Sequence, residues 1–410
     1  MLNGPIALGT IRTSFVLTLR LAIQAGTLLL VARMLGPEQF GAFAGVAAIA
    51  VMLGTLSSFG THLILLAEMS KETSRRDQVL IYAIPMTIVG GSILLLVFLL
   101  VCQIVLPNSK VSLGALVAIG AAELLLLPLF GLVVSELLAR GRTAHSQLLQ
   151  TLPLAFRPAA AAMVLVLQLS PQLTYYASAY LLATTIAFAV VMACLPVPWP
   201  GPRQWCRPSL GEIRASASYA ALNITALGPA ELDKTLAMKF LPLHAAGLYA
   251  ASARVVGAVT LPVVALMLSA LPRLFRESQQ SQRTARLLGW IYGVTLTYSM
   301  FLAVTLWVCA PVFARLLGSG YEGVEDVIRW LCPVIPGMAL RIAAGSALMA
   351  LGRPWVRAGF EVVGLLVLVL AATILTEHVG TKGMPLALAC SEWTMALWGS
   401  WLIARVRRKA

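Results

Sequence analysis

Charged residues are scarce in this chain. Only 11% of its 410 residues are charged, whereas 59% are hydrophobic. A soluble globular protein would carry roughly 25% charged residues, so the composition argues against a soluble fold. The long apolar runs also lack the alternation of polar and apolar residues that marks the strands of a membrane barrel. Because backbone groups in lipid must be satisfied within their own segment, the composition predicts an all-helical membrane protein.

Features that usually carry catalysis or metal binding are missing as well. The six cysteines form no CxxC pair, and the four histidines have no metal-ligand spacing. The glycine pair Gly318 and Gly320 follows no strand, so it does not indicate a nucleotide-binding loop. We therefore predict that the chain is not an enzyme, holds no metal or cofactor, and is not an ATP-driven pump.

Apolar segments long enough to cross a bilayer recur along the whole chain. A helix needs about 20 apolar residues to span the hydrocarbon layer. The predicted fold class is an all-α polytopic membrane protein with about twelve transmembrane helices. We place these helices at residues 13–34, 41–66, 79–106, 112–138, 148–169, 175–195, 215–240, 247–271, 287–313, 327–350, 358–376 and 384–404.

Arginine and lysine fall mainly in every second connection between these helices. Such loops are cytoplasmic by the positive-inside rule. Both termini are then cytoplasmic, which agrees with an even number of spans, and we expect a multi-pass protein of the inner (cytoplasmic) membrane. Much of the net charge of +14 is explained by this topology, and no nucleic-acid partner is needed to account for it. The basic residues of this set are Arg12, Lys71, Arg75, Arg76, Arg140, Arg142, Arg203, Arg207, Arg214, Arg273, Arg276, Arg283, Arg286, Arg353, Arg357, Arg405, Arg407, Arg408 and Lys409.

A faint internal repeat divides the chain into halves. The stretch Met34–Ala44 reads MLGPEQFGAFA, and Phe240–Ala250 reads FLPLHAAGLYA. We predict two six-helix lobes, residues 1–198 and 212–410, joined by a proline-rich cytoplasmic linker at 199–211. Because six is even, the lobes would be related by a pseudo-twofold axis along the membrane normal. Transporters built in this way bind their substrate between the halves, so the organisation favours a transporter.

Several ionisable residues fall at membrane depth, where insertion costs about 2.5–3.5 kcal/mol each. Guanidinium forks match phosphate oxygens well, so buried cations suit an anionic substrate. The structural alternative is that each cation pairs with a buried carboxylate, for instance Arg254 with Asp233, or that Arg20 reaches the membrane surface. The candidate substrate-binding residues are Arg20, Arg157, Lys234, Arg254 and Arg341.

Three deep carboxylates are candidates for ion coupling. Glu123, Glu231 and Asp233 could carry a coupling proton or sodium ion. The alternative is a local salt bridge of Asp233 or Glu231 with Lys234 or Arg254. The helix that carries the last two carboxylates also contains Gly228–Pro229, which predicts an interruption of its hydrogen-bond ladder.

Two stretches of the sequence, Ala32–Gly60 and Glu231–Glu277, carry a resemblance to a known family. The first resembles the first hairpin of Wzx-type polysaccharide flippases, of the multidrug/oligosaccharidyl-lipid/polysaccharide exporter superfamily, and the second resembles the start of the second half of these proteins. The similarity covers nearly the whole chain in order, with further family-like loops at Leu316–Leu331 and Ala347–Gly359. The motif positions of the second half are occupied by Asp233, Gly247, Tyr249, Pro272 and Arg273.

The resemblance implies a function as well as a two-lobed fold. The family transfers a polyprenyl-pyrophosphate-linked oligosaccharide from the cytoplasmic to the outer leaflet by alternating access, for surface polysaccharide, exopolysaccharide or O-antigen synthesis. The expected partners are this lipid-linked oligosaccharide, the bilayer and a polysaccharide polymerase, with one monomer as the transport unit. The cation-rich interior fits such a substrate.

Other functions stay open at this stage. An ion-coupled drug or metabolite exporter of the same superfamily would need acidic groups for organic cations, whereas this interior is more basic than acidic. A non-transporting scaffold of a polysaccharide assembly complex would not need costly deep charges. A membrane glycosyltransferase would need a sizeable extramembrane region, for which the loops are too short.

Overall fold

A computed structural model describes residues 5–106, 111–141, 143–195, 197–277, 281–351 and 353–409. These residues are almost entirely helical and contain no strand, which confirms the predicted all-α class. Short 3₁₀ turns join some helices, and a π-helical turn at Ala122–Leu126 lies between two others. Among the described residues the α-helices are α1 (Pro5–Ser57), α2 (Thr61–Lys71), α3 (Arg76–Val105), α4 (Leu113–Ala121), α5 (Leu127–Ala139), α6 (Thr143–Val166), α7 (Gln172–Ala193), α8 (Leu210–Phe240), α9 (Leu243–Glu277), α10 (Ser281–Leu317), α11 (Val324–Leu331), α12 (Val334–Ala350), α13 (Pro354–Val379) and α14 (Gly383–Lys409).

The chain is a multi-pass membrane protein. Within the described residues, eight helical segments are long and apolar enough to cross a membrane, and the bent pair α11–α12 makes a ninth. The prediction of about twelve helices divides some of these segments further. One segment, Ala22–Ser57, contains most of the first predicted span and most of the second, and another, Trp355–Arg405, contains the last two.

The first predicted boundary is a kink inside α1. Gly36 has φ 68° and ψ 168°, and Pro37 follows it. A positive φ is accessible to glycine at little cost, and proline is favoured at the first position of a helix because it has no N–H to donate. The Gly36–Pro37 pair therefore ends one helical stretch and begins the next.

Other predicted spans are not single straight helices. The predicted span 41–66 is interrupted where α1 ends at Ser57 and α2 begins at Thr61, since Phe59 has φ 47° and Gly60 has φ 79°. The predicted span 327–350 is bent by 42° between α11 and α12. Conversely, α8 is helical across Gly228–Pro229, where an interruption was predicted. The hydropathy of the sequence does not reveal the breaks after Ser57 and between α11 and α12, because apolar residues continue on both sides of each break.

Two compact units make up the chain: Met1–Leu35 with Val46–Ile224, and Gly36–Gly45 with Thr225–Ala410. The predicted lobe limits at 198 and 212 stay a prediction. The short segment Gly36–Gly45 packs within the second unit because glycines allow its backbone to come close. A Cβ atom on Gly41 would lie 2.6 Å from the backbone nitrogen of Gly247. These are the two glycines that the internal repeat aligns with each other.

Each unit has its own apolar core. In the first unit, Leu65, Leu80 and Leu132 pack together from α2, α3 and α5 with no exposed surface. In the second unit, Leu348 and Met395 are equally buried among the helices α12 and α14. Large apolar side chains elsewhere stay exposed, as expected for helices that face lipid rather than water.

Candidate functional site

A π-helical turn positions Glu123, one of the predicted coupling carboxylates. The N–H of Leu127 donates to the carbonyl of Ala122, five residues earlier. Pro128 lies at the start of α5 and has no N–H for the carbonyl of Leu124, and its ring crowds that oxygen. The helix therefore widens in the turn before the proline. Single π-helical turns occur frequently at functional sites.

Two glycines make room for the π-helical turn. A Cβ atom on Gly54 of α1 would lie 2.6 Å from the carbonyl oxygen of Glu123. A Cβ atom on Gly91 of α3 would overlap the carbonyl oxygen of Leu124. Both helices can pack against this turn only because neither position carries a side chain.

Replacing Gly91 by alanine should therefore destabilise the fold. The added methyl group forces α3 away from the turn, and overpacking of this kind costs about 1–3 kcal/mol. Gly131→Ala in α5 is the matched control, because a Cβ atom there meets nothing within 4 Å and alanine favours the helix. The measurement is the thermal midpoint of the purified protein by tryptophan fluorescence. Equal midpoints for the two variants would contradict the close packing.

Glu123 is the centre of a buried cluster in the first unit. Its Oε1 accepts a hydrogen bond from the hydroxyl of Tyr180 and lies 3.5 Å from Nη2 of Arg157. The same Nη2 donates to the Tyr180 hydroxyl, and the guanidinium carbon lies 4.3 Å from the centre of the Tyr180 ring. The charge of Arg157 is thus compensated by a carboxylate and an aromatic ring.

A second cluster surrounds Asp233 in the other unit. Asp233 accepts hydrogen bonds from the Tyr249 hydroxyl at 3.0 Å, the Lys234 N–H at 2.8 Å and the Lys234 ammonium at 3.3 Å. That ammonium also lies 3.4 Å from Glu231. Asp233 and Lys234 are both buried. The carboxylate therefore pairs with its neighbour in sequence, and the predicted alternative pairing with Arg254 is wrong.

Arg341 forms the tightest of the deep ion pairs. Its Nε lies 2.6 Å from Oε2 of Glu392, and the pair joins α12 to α14. The side chains are 7% and 0% exposed. Near the start of α13, Arg357 and Glu361 form a similar pair at 3.0 Å. Arg341 is therefore neutralised within its own unit.

Arg20 and Arg254 differ from the other predicted cations. Arg20 is half-buried, and its Nη1 donates to the amide oxygen of Gln150 at 3.0 Å. Arg254 is half-buried in α9. Within the part of the chain that the structure describes, neither has a carboxylate partner, and Arg254 makes no hydrogen bond. Among the described residues, the positive charge at these two positions is therefore not compensated by a carboxylate.

The sequence could not show these partnerships. Glu123 and Tyr180 lie on different helices from Arg157, and the pair of Arg341 with Glu392 spans 51 residues. The one local signal is Pro128, which predicts disruption of the preceding turn and hence of the backbone around Glu123. No comparable sequence feature points to Tyr180, because a single tyrosine in an apolar helix is common and does not by itself indicate a contact with a buried charge.

Comparison with known proteins gives a family match and a shared fold. A family model described as "Polysaccharide biosynthesis protein" matches residues 7–278. No curated protein sequence matches the chain. Among solved structures, the chain is similar to an inward-facing multidrug resistance MATE family transporter of the MOP superfamily. The TM-score is 0.78 at 13% identity, over 95% of this chain and 96% of that one.

Two further solved structures share this fold. An outward-facing MATE transporter has a TM-score of 0.66 at 13% identity, over 98% of this chain and 96% of that one. A MOP superfamily transporter from Pyrococcus furiosus has a TM-score of 0.63 at 14% identity, over 96% and 95% of the two chains. For that protein, reverse polarity of the binding pocket suggests a different function. Identities this low establish the fold alone.

Proposed function

Because the chain belongs to the polysaccharide biosynthesis protein family, we propose that it is a flippase for a lipid-linked oligosaccharide. It moves a polyprenyl-pyrophosphate-linked saccharide from the cytoplasmic to the outer leaflet by alternating access, for the synthesis of a surface polysaccharide or exopolysaccharide. The fold, which is shared with MOP-superfamily transporters, supports membrane transport as the general activity.

The balance of deep charges carries this proposal. Among the described residues, each deep carboxylate has a basic partner, whereas Arg20 and Arg254 have no acidic one. The pyrophosphate is the part of the substrate that loses most hydration free energy when it leaves water. Guanidinium groups can replace that hydration, because they form strong hydrogen bonds to phosphate oxygens. An exporter of organic cations would instead need an uncompensated carboxylate. The paired carboxylates are Glu123, Glu231, Asp233, Glu361 and Glu392.

Under this proposal, the carboxylate clusters couple the binding of an ion to the binding of the substrate. Asp233 and Glu231 together hold the ammonium of Lys234. Binding of a proton or sodium ion to Asp233 would weaken that hold and leave Lys234 available to an anion. Glu123 holds Arg157 in the same way in the first unit. In this scheme Lys234 and Arg157 would bind substrate only in the ion-loaded state.

A strain that lacks the gene tests the proposal. Carrier-linked saccharides are extracted, quantified, and assigned to a leaflet by lectin access to sealed vesicles. We expect the lipid-linked oligosaccharide to accumulate on the cytoplasmic leaflet and the surface polymer to be lost. Normal levels of both, in a strain without a second flippase, would rule out the flippase and favour the drug or metabolite exporter. Restoration by a variant without Arg20 and Arg254 would instead indicate a scaffold.

A further inference from the structure

An apolar groove opens on the surface of the first unit, separate from the charged clusters. It has a volume of about 590 Å³. One wall is the end of α1 with the turn that follows it, at Leu56, Ser57 and Phe59, and the other is a face of α3 from Pro85 to Leu94. Cys206, Arg207 and Pro208 of the linker before α8 lie at its mouth. We call this feature the α3 groove.

The break after α1 creates the α3 groove. The helix ends at Ser57, and the left-handed backbone at Phe59 and Gly60 turns the chain away from the helix axis. Gly90 of α3 packs against this end, since a Cβ atom there would lie 2.8 Å from the Ser57 carbonyl oxygen. The two helices therefore touch at one point and leave space beside it.

A proline in α3 fixes the linker at the mouth. Pro85 has no N–H, so the carbonyl of Ile81 loses its donor within the helix. The backbone N–H of Cys206 supplies one instead, at 3.1 Å. This hydrogen bond holds the linker against α3 and places the neighbouring Arg207 at the mouth. Arg207 is exposed and has no ion-pair partner among the described residues.

The α3 groove opens on an exposed apolar face of α3 that suits the hydrocarbon of a bilayer. Val89 and Ile93 are each 56% exposed, and the same helix continues with the exposed residues Leu96, Leu100 and Ile104. A helix surface of this kind lies against lipid. An occupant can therefore enter sideways from the membrane. The walls are apolar, and Arg207 is the only charged residue among the described residues that line the groove, which suits a hydrocarbon chain with one anionic end.

We propose that the α3 groove holds the isoprenoid chain of the lipid-linked substrate before transport begins, with the phosphate end of that chain at Arg207 until it moves to the deep arginines. The identity of this lipid rests on the proposed function. From Pro85 to Leu94 the groove follows α3 for about 14 Å, at 1.5 Å per residue. That length accommodates part of one chain beside one cation. A polyprenyl lipid has a single chain, whereas a phospholipid brings two chains for each phosphate.

Photolabelling of the full-length purified protein tests this site. The probe is a polyprenyl pyrophosphate with a diazirine on its chain, presented in nanodiscs of zwitterionic phospholipid, and the labelled peptides are mapped by mass spectrometry. Met86→Trp fills the groove, and Leu100→Trp adds the same side chain to the lipid-facing part of α3 outside it. Arg207→Gln removes the charge at the mouth, and Arg203→Gln removes one from the same linker away from the groove.

We expect labels on α3 between Pro85 and Leu94 in the wild type and in both control variants. Met86→Trp should abolish these labels, and Arg207→Gln should reduce them about tenfold, as expected for a lost charge-assisted hydrogen bond. Equal labelling in all variants would overturn the site. Equal competition by unlabelled phosphatidylglycerol would overturn its assignment to an isoprenoid. Labelling measures binding without transport, so its failure is distinct from failure of the deletion-strain experiment.

Discussion

Arg341→Ala is expected to destabilise the protein by about 3–5 kcal/mol, the cost of removing one partner from a buried ion pair. Glu392 would be left as a fully buried carboxylate without its cation. Its second oxygen already has no hydrogen-bond partner among the described residues, so none of these residues is in place to take over from the arginine. We expect little folded protein in the membrane fraction and a lower thermal midpoint after purification.

The double variant Arg341→Met with Glu392→Met separates structure from binding. It replaces both charged side chains by apolar ones of similar volume, and such replacements are often neutral for stability. Recovery of the thermal midpoint in the double variant would assign Arg341 a structural role. If Arg341→Ala alone keeps the wild-type midpoint but loses transport, the ion pair is not structural and Arg341 belongs to the proposed substrate site.

Arg254→Gln is expected to have the opposite profile, with transport lost and the fold kept. Because Arg254 has no carboxylate partner among the described residues, its removal leaves no buried anion uncompensated. Under the proposed function it removes a charge-assisted bond to pyrophosphate, which predicts a loss of transport of about ten- to hundredfold. The measurement is the rate at which lipid-linked saccharide reaches the outer leaflet of vesicles, at matched protein levels.

Two further variants sharpen this test. Arg254→Lys keeps the charge but lacks the planar fork, so we expect intermediate transport. Arg405→Gln, an exposed arginine near the end of α14, is the control for a general effect of charge and should transport normally. Wild-type transport by Arg254→Gln would remove this residue from the proposed substrate site and leave Arg20 as the remaining candidate without a carboxylate partner among the described residues.

Position in the sequence makes Arg341 a better candidate for substrate binding than Arg254, and the structure reverses this ranking. Arg341 lies near the middle of an apolar span, where reaching the membrane surface is hardest, and so resembles a substrate ligand. It is instead the arginine with the shortest deep ion pair. Arg254, for which an acidic partner close in sequence exists, does not use it, because Lys234 and Tyr249 occupy Asp233.

The sequence by itself determined the class of the protein. Hydrophobic content of 59% and recurring apolar runs require membrane-spanning helices, since hydropathy is a property of each segment alone. The break at Gly36–Pro37 is equally local, because it follows from the backbone preferences of those two residues. The presence of costly charges at membrane depth is likewise visible in the residue order.

The tertiary structure decided which of those charges are neutralised. Pairing depends on the rotation of each helix about its axis and on which helix packs beside it, and neither is encoded in the spacing of the residues concerned. Arg157 meets Glu123 from 34 positions away, and Arg341 meets Glu392 from 51. The α3 groove has the same origin, because the orphaned carbonyl of Ile81 meets its donor, Cys206, only when the linker folds back onto α3.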